Sequence, residues 1–110
     1  MVFLPQDALI AEAKLTQYLL VPLPKDDKSK FLAQAGYTLD KWEQLEQDLR
    51  TQVLTQPADL IETTRYGEKY AIRACLQGVN GVELDILTIW MVVNGVTKFV
   101  TLVPDKGANP

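Results

Sequence analysis

The chain contains no histidine. Without an imidazole there is no Ser-His-Asp or Cys-His relay, no histidine metal site and no two-histidine ribonuclease mechanism, so proton transfer would fall to carboxylates and lysines. The one thiol, Cys75, cannot form an intramolecular disulfide, and its apolar neighbours predict a small buried hydrophobe rather than a nucleophile. Asp26 and Asp27 are adjacent, and Glu43, Glu46 and Asp48 cluster, but the last three fall around a helix exterior and read as a solvated face. Lys25, Lys28 and Lys30 form a short basic run. Gly67, Gly78, Gly81 and Gly95 fall at turns and make neither a phosphate loop nor a dinucleotide fingerprint. No metal and no cofactor is expected.

The 110 residues suit one domain spanning 1–110, which on folding hides roughly 65% of its extended surface. At 47% hydrophobic and 23% charged, with 6 Gly and 6 Pro, the composition excludes disorder, collagen and coiled coil. The net charge of −3 is spread over both halves, which excludes a basic nucleic-acid arm but leaves room for a local patch. Residues 1–13 lack a basic region and a long apolar run, and no apolar segment approaches the ~20 residues that span a bilayer. A cytoplasmic protein with no membrane partner is expected.

Up to Pro57 the apolar residues recur with helical spacing. Lys14 to Leu20 places Leu15, Tyr18 and Leu19 on one face before Pro22 and Pro24. Asp26 or Asp27 can cap a second helix that carries Phe31 and Leu32 and ends at Gly36. Thr38 can cap a third, with Leu39, Trp42, Leu45, Leu49 and Val53 turned inward. Beyond Pro57 the period changes to two, giving strands near Asp59–Arg65, Glu68–Gly78, Val82–Val93 and Val96–Val103, with turns at Tyr66-Gly67, Asn80-Gly81 and Asn94-Gly95. The expected fold is α+β: three N-terminal helices (14–56) on one face of a four-stranded antiparallel meander (59–104), followed by a loose tail (105–110).

Two-residue loops fix which side chains share a face. They oppose Trp90 to Phe99, Thr88 to Thr101 and Arg73 to Thr88. One face then carries Ile61, Tyr70, Ile72, Leu76, Leu87, Ile89, Met91, Val100 and Leu102, and belongs under the helices. The other carries Glu62, Thr64, Lys69, Arg73, Ile86, Thr88, Trp90, Phe99 and Thr101. Rings beside cations and hydroxyls suit a binding surface, through base stacking or protein packing, although cross-strand aromatic and Thr pairs also stabilise sheets without a ligand.

The landmarks Lys14 to Leu20, Lys28-Ser29-Lys30-Phe31-Leu32, Gly36-Tyr37, Trp42, Leu45, Tyr66-Gly67, Lys69-Tyr70, Gly78, Thr88-Ile89-Trp90 and Val100-Thr101 occur in an order that resembles a small uncharacterised bacterial family, domain of unknown function 6883, over about residues 14–104. The resemblance implies a toxin-like module with an architecture similar to barnase, colicin and RelE-like ribonucleases, and no established reaction. It points to Lys28, Lys69, Thr88, Trp90 and Thr101, with Arg73 added by register. Leu23-Pro24 and Leu87 stand where the family often has a histidine and a basic residue. Two functions are therefore expected in competition. One is a toxin-like module whose open sheet face, with Lys28, binds RNA or a small inhibitor protein encoded nearby. The other is a non-catalytic interaction domain or homodimer anchored by Trp90 and Phe99.

Overall fold

Short turns of three kinds build the helical half. A computed structural model describes residues 2–25 and 27–105, so the expected tail beyond Asp105 and the Asp26 cap lie outside the described residues. Helix α1, Glu12–Lys14, runs into a π-turn, Leu15–Leu19, closed by the Leu20 amide donating to the Leu15 carbonyl at 3.1 Å. Helix α2 is Ser29–Ala33. A 3-10 turn, Leu39–Lys41, leads into α3, Trp42–Asp48, and a second π-turn, Leu49–Val53. The expected three helices thus appear as shorter, mixed pieces. Leu15, Leu19, Leu32, Leu45, Leu49 and Val53 all lie in the core, whereas Leu39, expected inward, is exposed.

The capping chemistry explains these ends. Asp27 Oδ1 accepts from the Ser29 hydroxyl at 2.7 Å and the Ser29 amide at 2.9 Å, and those bonds hold its carboxyl below the usual range. Gly36 terminates α2 in the left-handed region, φ +87°, letting the Tyr37 amide reach back to the Leu32 carbonyl. Thr38 is extended at its cap position, but its hydroxyl bonds to the Asp40 carboxylate instead of capping a backbone amide.

The sheet is an antiparallel meander in the order β1-β2-β3-β4: Asp59–Thr64, Gly67–Gln77, Glu83–Val93 and Val96–Pro104. Only the last turn has the expected loop. Asn94 and Gly95 both have positive φ, 52° and 79°, and Val93 pairs with Val96. The first loop is Arg65-Tyr66, because Thr64 pairs with Gly67, and a bulge at Ile61 follows. The middle loop has five residues, 78–82, between the paired Gln77 and Glu83. Its reason is tertiary. Gly78 lies so close to α2 that a Cβ there would stand 2.2 Å from the Ala35 carbonyl oxygen, and Asn80 Nδ2 donates to the Gln34 carbonyl at 3.1 Å. Docking on the end of α2 overrides the local preference of Asn80-Gly81 for a two-residue turn.

That loop shifts β3 by one residue, which exchanges its faces. Thr88 opposes Ile72 instead of Arg73, and Arg73 opposes Leu87. On β4 the expected Trp90–Phe99 pair is present, but a bulge then sets Thr101 opposite Ile89 and Leu102 opposite Thr88. The expectation that Thr88, Trp90, Phe99 and Ile86 face outward is therefore corrected: they are buried with Ile72, Leu76, Leu84 and Leu102 against the helices. Leu87, Ile89 and Met91, expected in the core, lie on the opposite face, and Ile61 is exposed. The Trp90 and Phe99 rings meet edge to face, centroids 5.2 Å apart, a geometry worth ~0.5–1.5 kcal/mol beyond simple burial.

The N-terminal segment closes part of the β4 edge. Leu9 bridges Lys98, donating to the Thr97 carbonyl and accepting from the Phe99 amide, both at 2.8 Å. Arg50 holds that segment by donating to the carbonyls of Gln6 and Ala8 at 2.8 and 2.7 Å.

Candidate functional site

The face of the sheet away from the helices is laid out in rows by the observed pairing. One row runs Glu62, Lys69, Met91, Lys98; the next Asp59, Ala71, Ile89, Thr101; the next Arg73, Leu87, Val103; and Cys75 pairs with Asp85. Met91, Ile89 and Leu87 form an apolar column down β3, each half-buried, with Ala71 and Val103 beside them. Charges of both signs frame that column. Lys69 pairs with Glu62 at 3.3 Å, and Arg73 Nη1 donates to both Asp105 carboxylate oxygens at 2.8 and 2.9 Å. Arg73 is 60% exposed while Asp105 is 8% exposed, so this carboxylate is largely shielded against the guanidinium. The exposed Lys69–Glu62 pair contributes ~0–1 kcal/mol and is screened by salt.

Of the expected site residues, Lys69, Arg73 and Thr101 lie on the open face, and Lys69 and Arg73 each already hold a carboxylate. Thr88, Trp90 and Phe99 are absent from it: Thr88 donates to the Ile72 carbonyl at 3.2 Å and accepts from Trp90 Nε1 at 2.8 Å. Lys28 reaches Thr101, at the β4 edge of the open face, through Tyr18. Lys28 Nζ donates to the Tyr18 hydroxyl at 3.0 Å, that hydroxyl lies 3.1 Å from Thr101 Oγ1, and Lys14 and Lys28 stand over the ring at 5.9 and 5.1 Å. Lys25 and Lys30 of the basic run are exposed.

Cys75 is exposed on the open face rather than buried. Its Sγ donates to Glu83 Oε2 at 3.1 Å, and that hydrogen bond, with some burial and the Glu83 and Asp85 charges, pushes the thiol above its ordinary value. Such a thiol is a poor nucleophile. Among the described residues no group of three or more metal-ligating side chains is gathered, and no helix is long and apolar enough to cross a membrane.

Asp48 departs from the solvated face on which it was expected. It is buried, accepts from Tyr37 Oη and from Gln44 Nε2, and belongs with Tyr37 to a polar seam beside the end of β2. Burial first, then the bond to Asp48, raises the Tyr37 hydroxyl far above the usual tyrosine value. The signal was present: Asp48 stands three residues after Leu45, on the inward side of α3.

These features define a small α+β domain with one sheet face left open. The model of a family described as a domain of unknown function (DUF6883) matches residues 5–106, and the chain belongs to that family. No curated protein and no solved structure matches it.

Proposed function

We propose that this chain is a non-catalytic protein-interaction domain, and that the open sheet face is where it docks. One observation carries this reading: the apolar column of Leu87, Ile89 and Met91 is interleaved with charges of both signs, three cations (Lys69, Arg73, Lys98) and five carboxylates (Asp59, Glu62, Glu83, Asp85, Asp105). A polyphosphate backbone favours a surface of one positive sign, whereas a protein surface favours an apolar centre with a mixed polar rim. Charges of both signs also suit a second copy of this chain, in which cations of one face can meet carboxylates of the other.

The toxin-like alternative, with an RNA or a neighbouring inhibitor as ligand and a barnase-, colicin- or RelE-like likeness, rests on the family resemblance. Its RNA form loses support because Trp90 and Phe99, the rings meant to stack on bases, are in the core. Its inhibitor form uses the same open face. Sedimentation velocity of the protein alone, and mixed with the product of the adjacent reading frame, tests the proposal. Self-association or a stoichiometric complex that disappears in Ile89→Glu is expected. Strict monomers in both samples, or tight binding and cleavage of RNA by the unaltered protein, would contradict it.

A further inference from the structure

Asp48 as a residue is only 8% exposed, yet no cation pairs with its carboxylate among the described residues. Its two hydrogen bonds, from Tyr37 and Gln44, are both from neutral donors. Taking a carboxylate out of water is costly unless a positive charge meets it. Asp48 lies at a shallow cleft of about 460 Å³, open to solvent, whose other lining residues are Gln44, Gln52, Gln77, Gly78 and Val79. The walls are held in place. Gln52, on the π-turn after α3, locks onto the end of β2, its Nε2 donating to the Gln77 carbonyl at 3.1 Å and its Oε1 accepting the Gln77 amide at 2.7 Å.

From these contacts we infer that the cleft binds a guanidinium group, with Asp48 as its counter-charge. Among the described residues each Asp48 carboxylate oxygen accepts one hydrogen bond and has a second acceptor site, and Gln44 commits its amide nitrogen to Asp48 while its amide oxygen can accept. A guanidinium offers five donors in one plane and matches a carboxylate two bonds at a time. A hard divalent cation fits poorly, because it collects about six to eight oxygens, several of them charged, and among the described residues Asp48 is the one carboxylate lining the cleft. This site stands on the helix side of the molecule and does not depend on the role given to the open sheet face.

The test is an NMR titration of the unaltered protein with argininamide, with the neutral isostere citrulline amide, with an acetyl-Gly-Arg-Gly-amide peptide and with calcium. Saturable shifts of the Gln44 and Gln52 side-chain amides and the Gln77 backbone amide are expected with argininamide and the peptide, absent with citrulline amide, and weakened about tenfold or more in Asp48→Asn. Tighter binding of the peptide assigns an arginine presented by a protein, and tighter binding of argininamide assigns a free small molecule. Equal shifts with citrulline amide, shifts with calcium alone, or no saturable shift with either guanidinium probe would overturn the inference. Should Asp48→Asn fail to fold, the comparison of argininamide with citrulline amide on the unaltered protein still decides it.

Discussion

Trp90 donates its indole N–H to the hydroxyl of Thr88, 2.8 Å away on the same side of β3, and both side chains are sealed from solvent. Thr88 donates its own hydroxyl hydrogen bond to the Ile72 carbonyl on the neighbouring strand, so a single hydroxyl satisfies a buried donor and a buried acceptor. Thr88→Val keeps the shape and leaves the indole N–H without a partner, which costs ~1–3 kcal/mol. Urea unfolding is expected to show that loss, and the loss should shrink when the donor is also removed in Thr88→Val/Trp90→Phe. A Thr88→Val variant as stable as the parent would put β3 the other way round.

Gly78 carries the middle loop against α2. A methyl group there would lie 2.2 Å from the Ala35 carbonyl oxygen and 2.3 Å from Ala35 Cβ, so the loop or the helix end must move. Gly78→Ala is expected to lower stability by roughly 1–3 kcal/mol in chemical denaturation. Gly81→Ala is the comparison, since open space surrounds that position and only its positive φ opposes the change.

What could be read from the sequence follows from how local each determinant is. The change of period at Pro57, the α+β class and the burial of Ile72, Leu76 and Leu102 depend on patterns within a single element, and they agree with the structure. Arg73 falls on its expected face because β2 alternates cleanly from Ile72 to Gln77. The faces of β3 depended instead on loop length. Nothing near Asn80-Gly81 signals that Gly78 and Asn80 will dock on α2, dozens of residues away in the chain, and add three residues to the turn. One residue of register then moved Thr88 and Trp90 inward and Leu87, Ile89 and Met91 outward. The bulge beside Ile89 is equally silent in the sequence, while Asp48 was legible by helical spacing and was set aside because it is acidic.

Tyr37 predicts a response to alkali. Its folded value lies above the ordinary tyrosine value of about 10, so its contribution to stability is fully present below that pH and is lost as pH rises through the folded value. Spectrophotometric titration should therefore show one of the four tyrosines ionising only when the protein unfolds. Tyr37→Phe should remove that delayed step, and a Tyr37→Phe variant that instead loses a step near the ordinary value would contradict the buried seam with Asp48.

Cys75 offers a probe of the open face. Because its thiol is raised, chiefly by the bond to Glu83, alkylation by iodoacetamide should proceed on the folded protein but reach its half-maximal rate at a higher pH than a free thiol. Glu83→Gln should move that midpoint down. A thiol that reacts only after unfolding would place Cys75 in the core instead.

The claim on which the function rests is that Ile89 faces outward and anchors docking to another protein chain. Sedimentation velocity of Ile89→Glu beside the parent, alone and with the product of the adjacent reading frame, tests it most directly. The expected result is a folded Ile89→Glu monomer that no longer forms the dimer or complex seen with the parent. An Ile89→Glu chain that unfolds, or one that assembles as well as the parent, would contradict it.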